Sequence, residues 1–238
     1  MRAWIRFTKD APLRFISHLD LMRCMQRAFR RAGLSVAYSA GFNPHPRISL
    51  ASALPVGVTS EDEFLDVLFS APVTEEVLER LQGCLPQGIR VLAWRDVPPG
   101  VAPLMSLIGA ARWRILLKNQ DATELAEKIK HVLAEDSLPV LRESKKGKKT
   151  VDIRPFILEL SVSSESDWTD ICMLLKTSSD GGAKAQEILS LLGLEENEGL
   201  LHRTNLYISI NNCLQSPLCM LFNKNEVSIN AEKDCYQL

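Results

Sequence analysis

The chain has 238 residues, 46% of them apolar and 24% charged, with a formal net charge of −1. That length supports one large core or two small ones without disulfide or metal staples, and the composition excludes a disordered or fibrous chain. Apolar runs such as Val67–Phe69 and Ile115–Leu117 are far too short to cross a bilayer, and Met1–Phe7 lacks the apolar stretch of a secretory signal, so a cytoplasmic protein with no membrane contact is expected.

Arg2–Thr8 alternates polar and apolar residues around Trp4 and Ile5 and reads as a first strand. Ser17 is an N-cap with Asp20 three residues on, and Leu21, Met22, Met25, Ala28, Phe29 and Ala32 recur at helical spacing until Gly33 stops the helix. The loop Ser39–Pro46 carries His45 between two prolines, which stiffens it. Strands are expected over Ile48–Val56 and Glu63–Phe69, a helix over Val73–Cys84 and a strand over Ile89–Trp94. This β-α-β-β-α-β order is the ferredoxin-like pattern, in which two helices cover one face of an antiparallel sheet and leave the other available.

Val97–Pro103 is proline-rich and reads as an extended spacer. Beyond it the element order repeats. A strand is expected over Ala111–Lys118, a helix over Thr123–Leu133 and a hairpin from Pro139 to Leu160 through a basic glycine turn. Strands over Ile171–Lys176 and Leu206–Ile210 then flank a helix over Ala183–Leu192. The expected class is α+β, with tandem ferredoxin-like domains over 1–97 and 105–211, a linker over 98–104 and a tail over 212–238 with no assigned structure.

The six cysteines, Cys24, Cys84, Cys172, Cys213, Cys219 and Cys235, form no CxxC pair. Buried thiols are expected, with no metal and no cofactor. Up to residue 50 there are nine bases and two acids, a local excess of +7, so a nearly neutral chain can carry one basic face.

Two features of that basic stretch can carry chemistry. His18, Asp20, Tyr38, His45 and Arg47 can form an anion site at a helix start, or His18 and His45 can act as acid and base; alternatively they only brace the loop. Arg23, Arg27, Arg30 and Arg31 share one side of the helix, either as a track for phosphates or as a solvated face. The later turn with Lys145, Lys146, Lys148 and Lys149 is a second anion-binding candidate or a solubilising tip. Asp152 and Arg154 point to one side of a strand and can pair. Gly181-Gly182-Ala183-Lys184 lacks the full phosphate-loop spacing, so a plain helix-start turn is expected there.

The run FISHLDLMRCMQRAFRRAGLSVAYSAGFNPHPRISLASALPVGVTSEDEFLDV, with GKKTVDIRPFI and LHRTNLY, resembles the bacterial radical SAM-linked protein family, a domain of unknown function found alone or at the C-terminus of radical SAM proteins. The resemblance implies a bacterial cytosolic protein with a radical SAM partner and supplies no reaction. By fold analogy alone, tandem ferredoxin-like domains with a basic face point to RNA. The expected function is therefore RNA or anionic-macromolecule binding for a radical SAM enzyme, with a ribonuclease using His18 and His45, or a purely structural interaction domain, as alternatives.

Overall fold

In the computed structural model, which describes residues 1–144, 147–178, 181–195, 198–210, 213–221 and 235–237, strand β1 (Arg2–Lys9) leads into helix α1 (His18–Ala32). Then come β2 (Ile48–Leu50), β3 (Thr59–Leu68), α2 (Glu75–Cys84), β4 (Val91–Asp96) and the short α3 (Leu104–Leu107). They are followed by β5 (Ile108–Lys118), α4 (Ala122–Ala134), β6 (Pro139–Ser144), β7 (Gly147–Asp152), β8 (Ile157–Glu165) and β9 (Trp168–Ser178). The chain ends with β10 (Gly181–Gly182), α5 (Ala185–Leu191), β11 (Gly199–Ile210), β12 (Cys213–Gln215) and β13 (Cys235–Gln237).

This mixed α+β chain divides into two units, one of Met1–Ile108 with Asn205–Gln237, the other of Gly109–Thr204. Against the expected limits at 97 and 105, this division puts the proline-rich segment in the first unit, together with the described residues after Thr204. β12 and β13 pair with each other and β12 with β11, so the tail contributes strands; its residues 212, 222–234 and 238 lie outside those described.

In the first unit the strands run β4-β1-β3-β2, all antiparallel, with β11 also beside β3. β2 is much shorter than the expected Ile48–Val56 strand, because the chain leaves the ladder after Ala51 and turns at Gly57, whose N–H donates to the Arg14 carbonyl. α1 forms as its cap chemistry predicts. The Ser17 hydroxyl accepts from the Asp20 N–H at 3.2 Å, and Gly33 takes the left-handed conformation that ends the helix. Its buried residues Leu21, Met25, Ala28 and Phe29 join Ala3, Ile5 and Phe7 of β1 and Leu81 of α2 in one core. Phe29 meets Phe69 edge to face, ring centres 5.8 Å apart.

The sequence led us to expect the other face of this sheet to be open, and it is not. Trp4 and Phe64, which point there, are completely buried, and the segment at 101–104 is fastened to the same face. Arg2 donates two hydrogen bonds to Asp66, at 2.8 and 2.6 Å, and two more to the carbonyls of Val101 and Ala102, at 2.5 and 2.8 Å. Asp66 also accepts the Leu104 N–H at 3.0 Å. A stretch read as a spacer is thus tied down by a planar guanidinium that bonds to a carboxylate and to two peptide carbonyls.

In the second unit the order is β8-β9-β5 with β11 beside β5, and β9 is antiparallel to both β8 and β5. The expected hairpin from Pro139 to Leu160 is corrected to two elements. β6 and β7 form their own two-stranded sheet, and β8 starts afresh after a 3-10 turn at Arg154–Phe156, where Pro155 cannot continue a ladder. Asp152 and Arg154 do not pair side chain to side chain. The Asp152 carboxylate accepts the N–H groups of Leu138 and Arg154 at 2.7 and 3.0 Å, while the Arg154 guanidinium donates to the Leu133 carbonyl at 2.9 Å near the end of α4. Those backbone donors, Leu138 first, hold the Asp152 carboxyl below its usual range.

Gly181 and Gly182 are a close-approach device. A Cβ on Gly182 would lie 2.7 Å from the Lys176 carbonyl oxygen of β9. Gly182→Ala is expected to lower the urea unfolding stability by about 2 kcal/mol, as overpacking against rigid backbone does; an unchanged midpoint would show that the backbone gives way.

Candidate functional site

The exposed side of α1 carries Arg23, Arg27, Arg30 and Arg31, and the structure gives them different employment. Arg23 donates to Asp20 at 3.1 Å. Asp20 also accepts the Ser17 hydroxyl at 2.8 Å, and these two bonds, the Ser17 one first, hold its carboxyl below the usual range. Arg31 donates to the Cys84 carbonyl at the C-terminal end of α2, where helix carbonyls lack partners. Among the described residues Arg27 and Arg30 make no ion pair.

Arg27, Arg30 and Arg31 line one groove of about 520 Å³ together with Cys24 and residues 83–86 at the end of α2. No carboxylate lines it. Three guanidiniums around a shallow, acid-free groove create a positive potential with one natural complement, an anion. The Cys24 thiol is pushed up, chiefly by burial, so it stays protonated in spite of Arg27 and Arg31.

The expected cluster of His18, Asp20, Tyr38, His45 and Arg47 is split. His18 opens α1, just beyond Arg14, whose carbonyl accepts from Lys9 Nζ at the far end of β1. His45 sits in the loop whose stem joins the near end of β1: Arg47 bonds to Ala37 and Leu68, and Leu68 is in register with Arg2. β1 separates these ends by about 23 Å at the usual strand rise. The chain reversal between α1 and β2 thus sets His18 toward one end of β1 and the His45 loop toward the other.

The His45 loop is stiff for the reasons its prolines imply, and more. Tyr38 bridges to Pro46, the Ser39 N–H donates to the His45 carbonyl at 2.9 Å, and the His45 N–H donates to the Ser39 hydroxyl at 3.0 Å. Arg47 leaves the loop beside a hollow of about 410 Å³ shared with Arg2, Pro46, Ser49, Asp66 and Val101. This hollow and the α1 groove have no lining residue in common.

Of the lysine turn, Lys148 pairs with Glu143 across the β6–β7 hairpin and Lys149 is exposed; Lys145 and Lys146 lie outside the described residues. Arg142 ties the hairpin to α5 through two bonds to Glu187, at 2.7 and 2.8 Å, and one to the Gly182 carbonyl at 2.6 Å. Arg203 of β11 is buried over the Trp113 ring, 5.3 Å from its centre.

The sequence reading missed the buried charges of the first sheet. Arg6 meets Asp62 at 2.5 Å, and Asp62 accepts the Leu206 N–H at 2.7 Å. Burial outweighs both and pushes the Asp62 carboxyl up to about 6; Arg6 pulls it down and Glu63 adds to the rise. A signal was present. Arg2 and Arg6 on one strand, and Asp62 and Asp66 on another, are each spaced four apart, which places them on one sheet face. Among the described residues no group of His, Cys, Asp and Glu is placed to hold a metal ion, and no helix is long and apolar enough to cross a membrane.

Comparison with curated proteins gave no match. Among solved structures, an unknown protein from Galdieria sulphuraria is 13% identical, covers 81% of this chain and 89% of its own, and has a TM-score of 0.26. A candidate glycine cleavage system transcriptional repressor is also 13% identical, covers 87% of this chain and 97% of its own, and has a TM-score of 0.23. Superposition at that level carries no argument about fold or activity. A family model matches residues 2–185, which include α1, the His45 loop and the groove, and the chain accordingly belongs to the family described as uncharacterized protein conserved in bacteria (DUF2344).

Proposed function

We propose that this chain is a binding module without a reaction of its own, which recognises RNA and presents it to a radical SAM partner enzyme. The observation that carries the reading is the acid-free groove of Arg27, Arg30 and Arg31. The partner class comes from the resemblance of the α1 and His45-loop sequence to radical SAM-linked proteins. We read each unit as ferredoxin-like. The orders β4-β1-β3-β2 and β11-β5-β9-β8 support this, since both are what a split βαβ pattern produces.

The test separates binding from capping. Arg31 already serves α2, so its loss disturbs the helix end as well as the groove; Arg27→Ala with Arg30→Ala removes charge alone. For the full chain, RNA affinity is expected to fall with salt. In the double variant the slope of log K against log salt should shrink by roughly 0.7 for each lost phosphate contact on a single strand, with the unfolding midpoint unchanged. Identical affinity and slope in the double variant would remove the groove as the RNA site.

A further inference from the structure

We propose that the loop from Tyr38 to Arg47 is a stacking finger for single-stranded RNA, with Phe42 taking a base face and Arg47 a neighbouring phosphate. The inference rests on the RNA-binding reading above and gives it a second contact with a different selectivity.

Phe42 is fully exposed and Tyr38 is more than half exposed. An aromatic ring left in water on a mobile loop would mean little, but this loop is held at its stem by the Tyr38–Pro46 bridge and two bonds between Ser39 and His45. Pro44 and Pro46 restrict it further. Gly41 stands beside Phe42 at φ 120, a conformation that side-chain-bearing residues rarely adopt, and nothing lies within 4 Å of where its Cβ would be. With no crowding, glycine stands there for its backbone conformation, and the ring of Phe42 beside it lies in solvent. A loop closed at its stem thus holds an apolar ring in water with no covering group, at a defined place for a flat ligand to meet.

Charge decides between ligands. The loop YSAGFNPHPR contains no acidic residue, and among the described residues Arg47 makes no ion pair. Exposed aromatic rings on an acid-free loop that ends in Arg47 match single-stranded nucleic acid, in which every base offers a π-face and every linkage a charge. A duplex does not fit, because its base faces are stacked internally.

The experiment measures binding of the full chain to a labelled single-stranded uridine oligonucleotide and to an RNA duplex by fluorescence anisotropy. Phe42→Ala is expected to weaken single-strand binding by about tenfold or more, to leave duplex binding and the unfolding midpoint unchanged, and to be rescued by Phe42→Tyr. Equal losses on both RNAs, or no loss on the single strand while the Arg27→Ala, Arg30→Ala variant still weakens it, would overturn the finger and leave the groove standing. Unchanged RNA binding with lost capture of a radical SAM polypeptide would make the loop a protein contact and overturn it too. If the native chain binds neither RNA, the underlying RNA-binding reading fails along with this one.

Discussion

Replacing Asp66 with alanine is expected to lower the stability of the first unit by about 3 to 5 kcal/mol, the range for removing one partner of a buried, hydrogen-bonded ion pair. The side chain is only 9% exposed and accepts three hydrogen bonds, two from Arg2 and one from the Leu104 N–H. Alanine would leave the Arg2 charge beside the Val101 and Ala102 carbonyls alone and strand a buried N–H. Asp66→Asn keeps an acceptor but not the charge, so it should fall between the two. Urea unfolding gives the magnitude, and faster hydrogen exchange at the Leu104 N–H localises it. A loss below about 1 kcal/mol would show that packing of the buried Leu104 side chain, rather than Arg2 and Asp66, holds the segment.

The second large effect depends on pH. Asp62 has its carboxyl raised from 3.8 to about 6, burial being the first cause. Its folded form therefore keeps a proton that the unfolded chain has released. Asp62 contributes most to stability below about pH 4, and that contribution is lost as the pH rises through about 6. The loss amounts to roughly 3 kcal/mol. Asp62→Asn cannot titrate, yet its amide oxygen can still accept from the Leu206 N–H. The stability difference, native minus variant, should thus fall by about 3 kcal/mol between pH 4 and pH 7. A pH series of urea unfolding measures it. A difference that stays flat would mean that Arg6 already keeps Asp62 ionised in the folded chain.

Both predictions concern residues that sequence reading passed over, while the elements it described well are local ones. Ser17, the apolar positions from Leu21 to Ala32 and Gly33 define α1 within one or two residues of where it lies. The reason is that capping and periodicity act over a turn or two. The same reading extended β2 to Val56, because the apolar residues Ala51, Ala53, Leu54 and Val56 continue past Leu50, but only pairing with β3 makes a strand, and that pairing stops. The arginine face was legible as a face. Which of its members are free was not, since Arg31 finds its acceptor at Cys84, far along the chain.

The sequence by itself determined the helix, its cationic side, the stiff loop around His45 and the α+β class, all consequences of short-range sterics and periodicity. Only the tertiary structure decided that His18 and His45 stand at opposite ends of β1. It also decided that the proline-rich segment is clamped by Arg2 and Asp66, and that Arg27, Arg30 and Arg31 share a groove with the end of α2. Those outcomes depend on where the chain reverses and on which distant backbone groups come within hydrogen-bonding reach, and neither is encoded at short range.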